Sequence, residues 1–197
     1  MPRVSQEHRD ERKDAILTSA AGCFAQDGFH ATSMADIIHA SGLSAGSVYR
    51  YFKNKDDLIA AIVDRYLGTV IEAVVATSKR ADSPADAVVE SLRLISWRLH
   101  ATPDEPLIRL LPQIWSEALR NDAIRSRGQE LYRDLLAHFA ALVRRAQVAG
   151  TLSPDLSPDA TAQTMLALIQ GHLLQAMLLD DIDLDAYGSA VRRLLAG

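Results

Sequence analysis

Three observations predict an all-α fold of about nine helices. Apolar residues recur at three- and four-residue spacing through most of the chain. No stretch alternates apolar and polar residues with the period of a strand. Caps, glycines and prolines punctuate the periodic segments where helices would start and stop. The 197 residues are 48% hydrophobic with mean hydropathy near zero. That suffices for a sizeable core, in one domain or in a small domain fused to a larger one.

In order, residues 1–9 read as a polar arm. From about Asp10 to Gln26 the residues Ala15, Ile16, Ala20, Cys23 and Phe24 share one helical face, and Gly28 ends that helix with Phe29 folding back on it. Ser33 and Asp36 form a capping box for a short helix carrying Met34, Ile37 and Ile38. Gly42 supplies a left-handed exit, Leu43 fills the turn, and Ser44 caps a second short helix. Val48, Tyr51 and Phe52 make the buried stripe of that helix, while Ala45, Ser47, Tyr49 and Arg50 lie opposite. After a turn at Tyr51–Lys55, Asp56 and Asp57 place carboxylates in the first turn of a helix from Leu58 to about Ser78.

The second half continues in the same manner. Ser83 and Pro84 open a helix to about His100, with Val88, Leu92, Ile95 and Leu99 as its stripe. Thr102–Pro106 interrupts, and Pro112 predicts a kink or split within Leu107–Leu119. Asn121-Asp122 starts a long helix ending near Gly150, with Leu131, Leu135, Phe139 and Leu142 inside. Ser157-Pro158 opens another to about Leu179, and a last amphipathic segment spans Leu184–Leu195. The domain limits expected from this pattern are 10–70 and 71–197.

Two short capped helices joined through a glycine turn make a helix-turn-helix, whose inferred task is binding duplex DNA. The charge balance sets conditions on that task. Residues 1–55 hold seven Lys and Arg against six Asp and Glu, and the remainder is net −5. Neither part is a basic domain. DNA contact must therefore rest on a few placed cations and helix N-termini, not on a broad field.

Other classes find less support. No run of about 18 apolar residues suggests a membrane span, and the start MPRVSQEHRDERKD lacks the apolar core of a secretory signal. One cysteine, Cys23, excludes an internal disulfide framework and fits a reducing cytoplasm, with a buried thiol expected on an apolar face. There is no G-x-S-x-G, no Walker or dinucleotide glycine pattern and no H-E-x-x-H, so neither an enzyme nor a cofactor is expected. His30 and His39 lack a third ligand at metal spacing.

Taken together, the residues resemble the TetR family of bacterial transcription regulators over about Asp10–Tyr66. The resemblance is carried by Ala25-Gln26-Asp27-Gly28-Phe29, by ATSMADI from Ala31, and by SGLSAGSVYRYFKNKDDL from Ser41. It implies a homodimer whose two recognition helices enter successive major grooves of a near-palindromic operator, with a ligand-binding and dimerisation domain behind them. Thr32 and Ser33 match positions that bond phosphate. Ser44, Ala45 and Ser47 match the start of the recognition helix, Tyr49 and Arg50 a phosphate- or base-contacting pair, and Lys55 a phosphate-gripping lysine. Relatives often carry Lys or Arg where this chain has Ala45, whose methyl can touch a thymine but cannot read a guanine. Each match has a plainer alternative: Thr32 and Ser47 as caps, Tyr49 as scaffold packing, Arg50 as a surface cation.

The resemblance implies a repressor released by a small molecule through movement along the Leu58–Ser78 helix. The alternative is an α-helical small-molecule-binding protein without specific DNA binding. Trp97, Trp115 and His138 are the favoured effector contacts among Trp97, His100, Gln113, Trp115, Tyr132, His138 and His172. The shortage of clustered charge favours an apolar or amphipathic effector. The helix from Ala160 is apolar on more than one side, so Met165, Leu168, Ile169, Gly171, His172, Leu173 and Ala176 are expected at a dimer interface.

Overall fold

The computed structural model describes residues 6–101, 106–179 and 181–195. The helices are α1 (Gln6–Ala31), α2 (Met34–Ser41), α3 (Ala45–Tyr49), α4 (Lys55–Ile62) and α5 (Gly68–Ser78). They continue with α6 (Pro84–Ala101), α7 (Leu107–Ala118), α8 (Asp122–Val148), α9 (Pro158–Leu178) and α10 (Leu184–Leu195). A π-helical turn, Val63–Leu67, joins α4 to α5 without a break. The described residues thus form nine helices and no strand. Residues 6–9, expected in a polar arm, are the first turn of α1. The rest of that arm and the Thr102–Glu105 break lie outside the described residues.

The chain packs as two compact units, and their limits differ from a single cut near residue 70. The first ends at Gly68 and resumes over Pro106–Gly128; the second takes up at Thr69 and resumes at Gln129. Helix α7 therefore belongs with the N-terminal motif. Sequence periodicity gives each helix its apolar face but not the partner for that face.

In the first unit Ile16, Leu17, Ala20, Ala21 and Phe24 of α1 are buried with Ile37, Val48, Phe52, Leu58, Ile59 and Ile62. Helix α1 breaks at Gly28, at φ 85° and ψ 160°, a backbone that a side chain would strain. The break swings Phe29 back until its ring meets that of Phe24 edge-on, centroids 4.9 Å apart. Helix α7 runs through Pro112 without splitting. Pro112 is exposed, so the carbonyl it leaves without an amide partner can meet water.

In the second unit Val88, Leu92 and Ile95 of α6 are buried, as are Leu135, Phe139 and Leu142 of α8. Helix α10 lies against α6 at Gly188, where an added Cβ would come 3.3 Å from Val89 Cγ1. Arg192 Nε donates to Asp86 Oδ1 at 2.9 Å, and Tyr187 Oη to the Leu168 carbonyl at 3.2 Å. Asp86 also accepts from Ser83 Oγ at 2.7 Å; Ser83 and then Arg192 hold its carboxyl below the ordinary range.

Candidate nucleic-acid interface

The short helices keep their form because their ends are satisfied locally. Ser33 Oγ accepts the Asp36 amide at 3.3 Å, and Asp36 Oδ2 accepts the Ser33 amide at 2.8 Å and its hydroxyl at 2.6 Å. These bonds, side chain first, keep the Asp36 carboxyl low and ionised. Gly42, at φ 67°, closes α2 with its amide on the His39 carbonyl. Ser44 Oγ then accepts the Ser47 amide at 3.3 Å and starts α3. A reciprocal cap of this kind satisfies two amides that the start of a helix otherwise leaves open.

Only one turn and a half of α3 exists, with Val48 as its fully buried anchor. Ser44, Ala45, Gly46, Tyr49 and Arg50 are exposed and Ser47 is half-buried; Tyr49 is 47% exposed. The Ser47 and Tyr49 hydroxyls and the Arg50 guanidinium have no side-chain bond among the described residues. The exposed face thus offers small groups, two hydroxyls and one unpaired cation.

Three expected phosphate contacts are otherwise engaged. Thr32 is 2% exposed, and its hydroxyl donates to the Gly28 carbonyl at 2.9 Å and lies 3.3 Å from that of Cys23. It closes α1 and does not face outward. The Ser33 hydroxyl donates into its capping box, beside an anionic Asp36 that repels phosphate. Lys55 Nζ lies 2.7 Å from the Phe29 carbonyl and 3.1 Å from the Thr32 carbonyl. It ties the start of α4 to the end of α1, with one donor direction left over. Lys53, which the motif comparison passed over, is exposed in the turn before α4 and is unpaired among the described residues. Its position three residues after Arg50, in a stretch with few cations, is the sequence signal for it.

Behind the motif, Gln113 of α7 bridges both sides of the Gly28 break. Its Oε1 accepts the Phe29 amide at 3.1 Å, and its Nε2 donates to the Phe24 carbonyl at 2.9 Å. Gln113 is therefore engaged as a clamp on α1. Trp115 is in the same unit. Cys23 is half-buried, not fully inside as expected, and burial, with Asp27 and Asp36 nearby, raises its thiol away from the reactive thiolate.

The second unit holds a cavity of about 450 Å³. Arg93, Ser96 and Trp97 enter it from α6, His172 and Ala176 from α9, and Leu179, Ile182 and Leu184 from the following turn and α10. Trp97 stands at the mouth, 65% exposed, while His172 is 1% exposed. His172 Nε2 lies 2.9 Å from Ser96 Oγ, and Nδ1 is buried with no protein partner. A buried polar atom left so costs about 1–3 kcal/mol. Burial also lowers the imidazole pKa, so the ring is neutral. Of the three favoured effector residues, only Trp97 lines this cavity. His138 is paired through Nε2 with Ser78 Oγ at 2.7 Å. The side chain of His100 lies outside the described residues.

The expected dimer residues divide. Met165, Ile169, His172 and Leu173 are buried within the chain at 0, 5, 1 and 6% exposure. Leu168, Gly171 and Ala176 are half-buried. The outward face of α9 instead carries Ala167, Leu174 and Leu178, and that of α10 Ala186, Ala190 and Leu194. A helix apolar on more than one side has no clear periodic signal to say which side is inward.

Comparison with known proteins agrees with this architecture. Residues 16–62 match the tetR family of bacterial regulatory proteins. Residues 90–197, more than half the chain, match the C-terminal domain of BetI-type transcriptional repressors. The chain is 27% identical over 196 residues to the HTH-type transcriptional regulator YfiR of Bacillus subtilis (strain 168), spanning 96% of this chain and 91% of that one. It is 26% identical to the HTH-type transcriptional regulator UidR of Escherichia coli (strain K12), spanning 92% and 90%. The structure of Salmonella enterica GusR matches with a TM-score of 0.77 at 25% identity, covering 100% of this chain and 98% of that one. The chain belongs to the TetR family of bacterial regulatory proteins. It is a DNA-binding transcriptional regulator, not an enzyme.

Proposed function

We propose that two copies of this chain bind a near-palindromic operator as a repressor and that a small apolar or amphipathic molecule releases them. The supporting observation is the face of α3: a capped helix anchored by Val48 that holds Ser44, Ala45, Ser47, Tyr49 and Arg50 toward solvent with their donors unspent. Arg50 supplies the single cation able to reach a guanine edge, Ala45 suits a thymine methyl, and Lys53 adds a phosphate contact. One such helix is too small for operator-grade affinity. Two, held about 34–36 Å apart, read two half-sites.

The partner is a second copy, joined through the outward faces of α9 and α10 as a four-helix bundle. Ala167 and Gly171 allow close approach, and Leu174, Leu178 and Leu194 supply apolar area. The effector occupies the cavity between α6, α9 and α10. It acts by favouring a conformation in which the two recognition helices no longer match successive grooves.

The test is a mobility-shift titration with DNA flanking the protein's own gene, against unrelated DNA, at several salt concentrations. Selective binding is expected. Arg50→Ala should weaken it by about 1–3 kcal/mol and relax base preference at one position in each half-site. Equal affinity for both DNAs would sink the operator reading.

A further inference from the structure

We propose that the α6/α9/α10 cavity is built for a neutral amphiphile with one hydroxyl, an alcohol or phenol, whose hydroxyl bonds His172 Nδ1 while its apolar body lies against Trp97. The inference rests on the effector reading above and names the ligand class for that cavity.

Four observations lead to it. First, His172 is 1% exposed, lines the cavity, and carries a buried Nδ1 with no protein partner. Among the described residues the other buried side-chain nitrogens and oxygens are bonded within the protein, so this atom is an exception that a ligand can satisfy. Second, Ser96 Oγ, 2.9 Å from Nε2, can donate to the ring or accept from it. Nδ1 is accordingly a donor in one tautomer and an acceptor in the other. A hydroxyl serves both, whereas an ether or ketone only accepts and an alkyl group does neither.

Third, the charge in the lining is already paired. The one cation in the lining, Arg93, is shared between Glu90 Oε1 at 3.0 Å and Asp185 Oδ1 at 3.5 Å. A carboxylate ligand would have to compete with both, and a cationic ligand would meet the guanidinium. Fourth, apart from the polar edge made by Arg93, Ser96 and His172, the lining is apolar: Trp97, Ala176, Leu179, Ile182 and Leu184. A cavity of about 450 Å³ lies in the lower part of the range for small-molecule sites, about 300–1,000 Å³. The indole at the mouth gives a flat surface on which a ring can stack.

The experiment uses the full chain carrying Trp115→Phe, so that Trp97 alone reports by fluorescence. The probes are 4-propylphenol and propylbenzene, which differ by the hydroxyl. Saturable quenching by 4-propylphenol is expected, with at least roughly tenfold tighter binding than propylbenzene, because the hydrocarbon leaves Nδ1 unpaired. In His172→Phe that preference should vanish while the hydrocarbon still binds, and in Ala176→Leu both probes should weaken together. Equal affinities in the Trp115→Phe protein overturn the proposal without recourse to any variant that alters the cavity, as does a preference that survives His172→Phe. A mobility shift on the same preparation separates the two readings. Operator binding without hydroxyl preference refutes only the ligand class, and hydroxyl-selective binding without operator recognition refutes only the regulator.

Discussion

The ammonium of Lys55 and the carbonyl of Phe29 are 2.7 Å apart, although 26 residues separate them in the chain. Phe29 follows the Gly28 break in α1, and Lys55 is the first residue of α4. A cation at a helix C-terminus is favourable for the helix dipole as well as for the carbonyl it meets. The bond therefore fixes the two helices that flank the reading motif.

Lys55→Ala should act mainly on stability. A loss of about 1–2 kcal/mol is expected in urea denaturation, discounted from the figure for a charged hydrogen bond because Lys55 is half-exposed. The salt dependence of operator binding should change less than in Arg50→Ala. An unaltered urea midpoint, together with a salt slope reduced by about one, would return Lys55 to the role of phosphate contact.

The dimer face can be tested by placing charge on it. Leu174 and Leu178 are 48% and 73% exposed on α9. The double substitution Leu174→Asp, Leu178→Asp should give a monomer in sedimentation at micromolar concentration and weaken operator binding at least about tenfold. Leu119→Asp is the control, since Leu119 is 81% exposed at the end of α7. A double variant that still sediments as a dimer places the interface elsewhere.

Acid should destabilise the second unit before its carboxylates are protonated. Burial lowers the pKa of both His138 and His172 below the ordinary 6.5, with Arg145 and Lys79 adding to the effect at His138. Below 6.5 the unfolded chain takes up protons that the folded chain resists, so stability is full above that pH and falls as pH drops toward the folded values. Asp86 works in the same direction but only below its ordinary 3.8. Thermal midpoints should therefore decline between pH 6.5 and 5, and less steeply in His138→Gln. A flat profile over that interval would show that neither histidine is held neutral by the fold.

The amino-acid sequence by itself determined the helices, the caps at Ser33, Ser44 and Ser83, the turn at Gly42, and the presence of a DNA-reading motif. These are local matters, fixed by a side chain and the backbone within four residues of it. Only the tertiary structure decided which polar groups remain free. Lys55 and Gln113 look like ligand contacts in one dimension, but each is bonded to α1 across 26 to 89 residues. Helix α9 shows the same limit. It is apolar on more than one side, and only packing against α6 and α10 turns Met165, Ile169 and His172 inward while leaving Leu174 and Leu178 outside. Periodicity ranks the faces of a helix by polarity. Which face is buried, and which buried atom lacks a partner, is settled by neighbours distant in sequence.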